Sequence, residues 1–282
     1  MLWQKTKGKS MKWLVQDTDR FDAVVIKELT ALKNTERLFS VFGLIKHHNI
    51  ITNVYEEDLD GHEVMFRGGL KIINMLSNNT LEGFSTENIE KLKRGISYDV
   101  QAFDQRYYAK LGLPLLNAQA SYEPFLAVKG KTYSRDMFIK PSSDLKAFVA
   151  GVLKAGTTVE EYILSSTHQM TYLDEHVLVS ELKQPGVEYR FVCICIDGEA
   201  IAGSSYLDHG KFCLNKPVDK SMLKMASEFA SLYRPSDIYV MDLALSVNDV
   251  SIVEYNCWNG SGLYNIDMER LFMDVENYKN SQ

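Results

Sequence analysis

The chain has 282 residues, of which 45% are hydrophobic and 24% charged, and its formal net charge is −6. These proportions exclude a disordered or fibrous chain. The negative charge gives no general attraction for nucleic acid or anionic lipid. No window reaches the roughly 18 apolar residues of a membrane helix. Because no long apolar run follows the basic N-terminus, no secretory signal is expected either, and the protein is predicted to be cytoplasmic.

The first third of the chain alternates between strand and helix patterns. The strand candidates are residues 11–16, 38–45, 50–55 and 63–66. Helical spacing is found over residues 22–32. This alternation predicts a small α/β domain. We place the boundary near Asn117, which divides the chain into domains of residues 1–117 and 118–282.

Strands and hairpins dominate from residue 122 onward, with two helices between them. The strand candidates are residues 136–140, 177–181, 187–196 and 238–255. The clearer helix has a one-sided apolar stripe over residues 222–233 and ends before Pro235. This half is predicted to be α+β.

Two polar strands near the C-terminus predict a metal site. A three-residue loop at residues 247–249 would place Asp242 directly opposite Glu254, and alternation puts Asn256 on the same face as Glu254. Opposed like charges destabilise a sheet unless a cation lies between them. An all-oxygen set of side chains suits Mg²⁺ rather than Zn²⁺.

The alternative to a metal site is a solvated polar face. Alternation makes the remainder of this face apolar, which favours the metal; those residues are Ile238, Val240, Ala244 and Ile252. Without metal the two carboxylates are expected to repel, so that Asp242→Asn should leave the metal-free protein no less stable. A structural salt bridge would instead make this substitution destabilising.

Two other segments carry cations. Lys140 lies at the end of a strand, and Ser142, Ser143, Asp144 and Lys146 follow it. This composition suits either a phosphate cradle or an ordinary surface turn.

The second cationic segment is the strand candidate at 187–196, where Glu188 and Arg190 share an otherwise apolar face. An arginine in such a place requires an anionic partner, which is a nucleotide phosphate or a carboxylate of the same protein. A turn at residues 197–198 would bring Ser205 opposite Arg190.

In chain order these segments resemble the ATP-grasp superfamily. The match runs from FIKP at 138–141 through SELKQPGVE at 180–188 to VMDLAL at 240–245 and VEYN at 253–256. RGG at 67–69 and LLN at 115–117 are similar to a small phage and bacterial clade. The resemblance implies an ATP-grasp fold, in which two α+β subdomains grip ATP, preceded by a small α/β domain.

The resemblance also implies ATP and one or two Mg²⁺ ions as cofactors. The implied contacts are Lys140, Lys146 and Arg190 for phosphates, the Glu181 and Leu182 backbone for adenine, Glu188 for ribose, and Asp242, Glu254 and Asn256 for Mg²⁺. The predicted substrate contacts are Arg67, Gly68, Asn259, Gly260, Ser261 and Gly262.

The activity implied by the resemblance is a ligation. ATP phosphorylates a substrate carboxylate, an amine attacks the acyl phosphate, and Lys146 and Arg190 offset the charge on the transferred group. The substrate is a small molecule, a peptide or a protein terminus. Two alternatives stay open: a kinase that phosphorylates a hydroxyl, and a nucleotide-gated binding module without turnover.

Overall fold

The computed structural model describes residues 10–16, 38–45, 50–96, 98–144, 146–166, 173–194, 198–215, 217–246 and 249–281. Its first sheet has the strand order β3-β2-β1-β4. Its strands are β1 (Ser10–Gln16), β2 (Leu38–Ile45), β3 (Ile50–Thr52) and β4 (His62–Arg67). β1 pairs in parallel with β2 and β4, and β3 pairs antiparallel to β2. The four predicted strands are therefore confirmed, with β3 shorter than expected. The predicted helix at 22–32 lies outside the described residues.

Three helices follow this sheet: α1 (Leu70–Ser77), α2 (Thr86–Ile96) and α3 (Gln105–Tyr108). α2 approaches β4 closely at Gly95. A Cβ atom there would lie 2.7 Å from the Val64 carbonyl oxygen, so any larger residue would force the helix away from the strand.

A second, antiparallel sheet, called the small sheet below, has the order β5-β8-β6-β7. Its strands are β5 (Ser121–Pro124), β6 (Met137–Pro141), β7 (Gly151–Leu153) and β8 (His176–Glu181). Helices α4 (Phe125–Val128) and α5 (Val159–Ser166) pack on it. Ile139, Val179 and Ile163 lie in its own hydrophobic core.

The central sheet has the order β11-β10-β9-β12-β13. Its strands are β9 (Val187–Ile194), β10 (Glu199–Asp208), β11 (Lys211–Phe212), β12 (Ile238–Leu245) and β13 (Val250–Cys257). Helix α6 (Lys220–Leu232), which confirms the predicted helix, covers one face. Helix α7 (Met268–Asn280) belongs to the core of the other face.

Trp13 of β1 joins the first sheet to the central one. Its ring meets Phe272 of α7 edge-on at 4.7 Å between centroids, and its Nε1–H donates to Glu276 Oε1 at 2.7 Å. The two sheets therefore share one core. Within the described ranges, no helix combines the length and the apolar character needed to cross a bilayer.

The β12–β13 hairpin confirms the predicted register at Asp242 and Glu254, but by a different route. The strands are joined by the four residues 246–249 rather than by three, since Leu245 pairs with Val250. A β-bulge between the Asp242 and Leu243 pairs then restores the predicted register. The bulge also turns Ile252 into the core beneath α6, so the prediction that it shares the face of Glu254 is wrong.

The β9–β10 pairing corrects a second prediction. Ser204, not Ser205, lies opposite Arg190. β9 ends at Ile194 and β10 begins at Glu199, so the connection has four residues where two were assumed. The longer connection shifts the pairing of β10 with β9 by two residues relative to the prediction. A β-bulge after Ala200 reverses this shift by one residue, so that the net difference at Arg190 is one residue.

Candidate active site

A buried ion pair lies in the middle of the central sheet. β9 and β12 place Arg190 directly beside Asp242. The guanidinium donates from Nε to Oδ1 at 2.8 Å and from Nη2 to Oδ2 at 2.7 Å. Asp242 is 1% exposed and Arg190 8%. Burial acts to lower the pKa of Arg190, but Asp242 raises it, so the guanidinium stays charged.

A second ion pair lies next to the first. Lys140, near the end of β6, contacts Oε2 of Glu254 on β13 and so joins the small sheet to the central one. Burial acts to raise the pKa of Glu254, but Lys140 and then Arg190 outweigh it and lower that pKa to about 2. Glu254 is therefore ionised at neutral pH.

Asn256 connects the two ion pairs. Its amide donates to Asp242 Oδ2 at 3.3 Å and to Glu254 Oε1 at 3.1 Å. The two carboxylates thus converge as predicted, but the expectation of uncompensated repulsion is wrong, because each carboxylate already has its own cation. For Arg190 the alternative of an intramolecular partner is confirmed.

Two stacked tyrosine rings cover Arg190. Its Cζ lies 5.4 Å from the ring of Tyr206 and 5.1 Å from that of Tyr264. The rings are 7° from parallel with centroids 5.4 Å apart. Tyr206 also donates its hydroxyl to Glu188 Oε2 at 2.6 Å. Burial raises the pKa of Glu188, and the bond from Tyr206 opposes that shift.

The segment after β6 is fixed by side-chain hydrogen bonds. Ser142 and Ser143 donate to the two carboxylate oxygens of Glu175 at 3.2 and 2.8 Å. Asp144 accepts the backbone N–H of Cys257 at 2.8 Å, and burial raises the pKa of this aspartate. The serine hydroxyls predicted for a phosphate cradle therefore have a protein acceptor.

Lys146 is the exposed cation of this segment. Its backbone is left-handed, with φ 54°, and its Nζ donates to the Gly260 carbonyl at 3.3 Å. A cleft of ≈280 Å³ opens here. Its polar wall consists of Lys140, Ser142, Ser143, Asp144, Lys146, Glu254 and Asn256. Its apolar wall includes Phe103, Phe148 and Val149.

Arg67, at the end of β4, holds the loop that follows β13. It is fully buried, with Cζ 5.1 Å from the centre of the Trp258 ring. Its Nη1 donates to the Trp258 carbonyl at 2.6 Å, and its Nη2 donates to the Ser261 carbonyl. The first sheet thereby positions a loop of the central sheet.

The carbonyl oxygens of three consecutive peptide groups in this loop each accept a hydrogen bond from a different cationic side chain. Lys146 binds that of residue 260, Arg67 that of 261, and Arg190 Nη1 that of Gly262 at 3.1 Å. A trans peptide points its N–H away from its carbonyl. The N–H groups of Ser261, Gly262 and Leu263 therefore point away from the cations. These three residues are buried, and in the described chain their N–H groups have no acceptor.

A family model for an ATP-grasp domain, described as the second family of its clade, matches residues 120–273, which is more than half of the chain. The chain belongs to this ATP-grasp family. The match covers the small sheet and the central sheet, including both ion pairs and the loop after β13. No protein of curated function is similar to the chain in sequence.

Solved structures share this ATP-grasp fold over nearly their whole length. D-alanine–D-alanine ligase from Helicobacter pylori is 15% identical with a TM-score of 0.57, covering 95% of this chain and 98% of its own. D-alanyl-alanine synthetase A from Vibrio cholerae is 11% identical, with a TM-score of 0.51 and coverages of 97% and 100%. A RimK domain ATP-grasp protein from Sphaerobacter thermophilus is 11% identical, with a TM-score of 0.51 and coverages of 96% and 98%.

The predicted site residues of this ATP-grasp chain are only partly brought together. Around the cleft or the two ion pairs lie Lys140, Lys146, Arg190, Asp242, Glu254, Asn256, Gly260 and Gly262. Gly68 lies beside the first sheet, where a Cβ would meet Ile72 at 2.9 Å. Asn259 turns its amide to the Ile96 carbonyl. Glu181 and Leu182 have exposed side chains, and that of Glu181 pairs with Arg135.

Sequence reasoning missed the residues that hold the predicted ones in place. Tyr206 is the extra residue of a β-bulge, since Ser205 pairs with Tyr189 and Leu207 with Glu188. Strand alternation therefore gives no signal for it. Glu175 is 32 residues distant in sequence from Ser143, which it holds, and no motif joins them. Asp144 was recognised as part of the cationic segment, but its hydrogen bond to Cys257, 113 residues away, was not predicted.

The residues present fit a magnesium ion. Asp242 and Glu254 each direct an oxygen at the amide nitrogen of Asn256, as the ligands of a single cation do. With this amide turned over to present its oxygen, the two carboxylates and the amide form a donor set that suits Mg²⁺. In the described ranges no group of three or more His, Cys, Asp or Glu side chains could hold a metal. The amide and the nucleotide would thus supply the other ligands.

Proposed function

We propose that the protein is an ATP- and Mg²⁺-dependent ligase that activates a carboxylate as an acyl phosphate for attack by an amine. The observation that carries this proposal is the row of three N–H groups without an acceptor in the described chain, on the buried residues Ser261, Gly262 and Leu263. Backbone N–H groups within a protein are nearly always paired, and a row of unpaired ones suits an anionic oxygen. A carboxylate and its acyl phosphate supply such oxygens. A hydroxyl substrate does not.

The proposed reaction has two steps. A carboxylate oxygen bonds to the γ-phosphorus of ATP, and the bond from that phosphorus to the β–γ bridging oxygen breaks, so that ADP leaves. The amine nitrogen then bonds to the acyl carbon, phosphate leaves, and the nitrogen passes a proton to it. Lys146 and Arg190 offset charge on the transferred group, and the loop N–H groups hold the acyl oxygen.

Mg²⁺ held by Asp242, Glu254 and Asn256 would offset phosphate charge when bound. Lys140 is proposed to contact phosphate, the Glu181 and Leu182 backbone adenine, and Glu188 ribose. We further propose the division near Asn117 into residues 1–117 and 118–282. The substrate classes supported are small molecules, peptides and protein termini bearing a carboxylate.

Lys146→Met tests the nucleotide site. Of the proposed phosphate contacts, Lys146 is the one with an exposed side chain and no carboxylate partner among the described residues. We expect affinity for a non-hydrolysable ATP analogue with Mg²⁺ to fall about tenfold or more, because a charge-assisted hydrogen bond to phosphate is lost.

Calorimetric titration measures this affinity. Lys154→Met is the matched control, because Lys154 is also exposed but pairs with Asp136 at 2.7 Å on the small sheet. Equal affinities for wild type and Lys146→Met would remove Lys146 from the site. No binding by the wild type would overturn the proposed function.

A further inference from the structure

Glu188 presents its two carboxylate oxygens to different surroundings. Oε2 accepts the Tyr206 hydroxyl at 2.6 Å. Oε1 accepts no hydrogen bond from the described residues, and it is not sealed from solvent. The side chain of Glu188 is therefore fixed through one oxygen, and the other oxygen is available as an acceptor.

The position of Tyr206 is itself fixed. It is the extra residue of the β10 bulge, 9% exposed, with its ring stacked on Tyr264 and beside the guanidinium of Arg190. Tyr264 has a left-handed backbone, with φ 52°, a conformation that costs free energy in a non-glycine residue. These contacts hold the Tyr206 hydroxyl against Glu188 without relying on the hydrogen bond alone.

We propose that Tyr206 is a positioning residue that orients Glu188, so that Oε1 acts as the acceptor for the 2′-hydroxyl of the nucleotide's ribose. This inference rests on the proposed function, in which Glu188 contacts ribose. Tyr206 acts through Glu188 and does not touch the nucleotide. Its hydroxyl therefore contributes to the preference for ribonucleotides over 2′-deoxynucleotides.

Calorimetric titration with a non-hydrolysable ATP analogue and its 2′-deoxy form tests the inference in four proteins: wild type, Tyr206→Phe, Glu188→Ala and the double variant. Tyr206→Phe keeps the ring and its stacking. We expect it to weaken binding of the ribonucleotide about tenfold and to reduce the ribo-to-deoxy affinity ratio. In the Glu188→Ala background the same change should have no effect on either ligand.

Tyr233→Phe is the control, since it removes a tyrosine hydroxyl bonded at 2.9 Å to the Ala102 carbonyl outside the site. It should change neither affinity. An unchanged ratio in Tyr206→Phe, or additive losses in the double variant, would overturn the inference while wild-type binding upholds the nucleotide site. A wild type that binds neither nucleotide would overturn the proposed function and this inference with it.

Discussion

Asp242→Asn is expected to lower the free energy of unfolding of the metal-free protein by about 3 kcal/mol, because it leaves the buried guanidinium of Arg190 without its counter-charge. The sequence argument predicted no loss. It assumed that Asp242 and Glu254 repel each other, whereas each has a cation partner. Urea unfolding in excess chelator measures the difference.

Asp237→Asn is the matched control. Asp237 forms an ion pair with Lys279 at 3.1 Å, but its side chain is 56% exposed, and such pairs contribute at most about 1 kcal/mol. We also expect the melting-temperature increase given by Mg²⁺ and ATP to shrink in Asp242→Asn, since a metal ligand is lost. Equal losses in the two variants would contradict the buried ion pair, and a full increase in Asp242→Asn would remove it from the metal site.

Arg67→Met should lower the free energy of unfolding by about 3 kcal/mol, because two buried carbonyls, those of Trp258 and Ser261, lose their donor. Turnover should fall, since the middle one of the three oriented peptide groups is no longer held. Nucleotide affinity should be retained, because the two hydrogen bonds that Arg67 donates go to the backbone of the loop and not to a proposed nucleotide contact. Urea unfolding and calorimetric titration measure these quantities.

Arg67→Lys separates charge from geometry. A lysine restores the charge but not the two forked donors, so stability should lie between those of wild type and Arg67→Met. Nucleotide affinity that falls in step with stability would show that Arg67 belongs to the nucleotide site. Unchanged stability in Arg67→Met would contradict the role in holding the loop.

The hairpin of β12 and β13 shows how far the sequence could predict this site. Residue types and alternation placed Asp242 opposite Glu254, and the register confirms that pairing. The assumed loop was one residue too short, and an unforeseen bulge compensated for the difference. Bulges depend on local tertiary packing, which alternation cannot predict. The same limitation misplaced Ile252, for which no compensating error existed.

The partners of the charged residues could not be predicted. Lys140 and Glu254 are 114 residues apart in sequence and lie on different sheets. Their contact depends on how the small sheet packs against the central one. For Arg190 the sequence required an anion but could not choose between phosphate and carboxylate. The order of the motifs along the chain was the information that identified the fold, and the family match confirms it.

The central claim, ligation through an acyl phosphate, is tested most directly by following oxygen. The protein is incubated with ATP, Mg²⁺, hydroxylamine as the amine, and amino acids or peptides labelled with ¹⁸O in the carboxylate. Mass spectrometry then identifies the products. The account predicts ADP, a hydroxamate and phosphate that carries ¹⁸O from the carboxylate. ADP with a phosphoester, or nucleotide binding without ADP from any of these carboxylates, would contradict it.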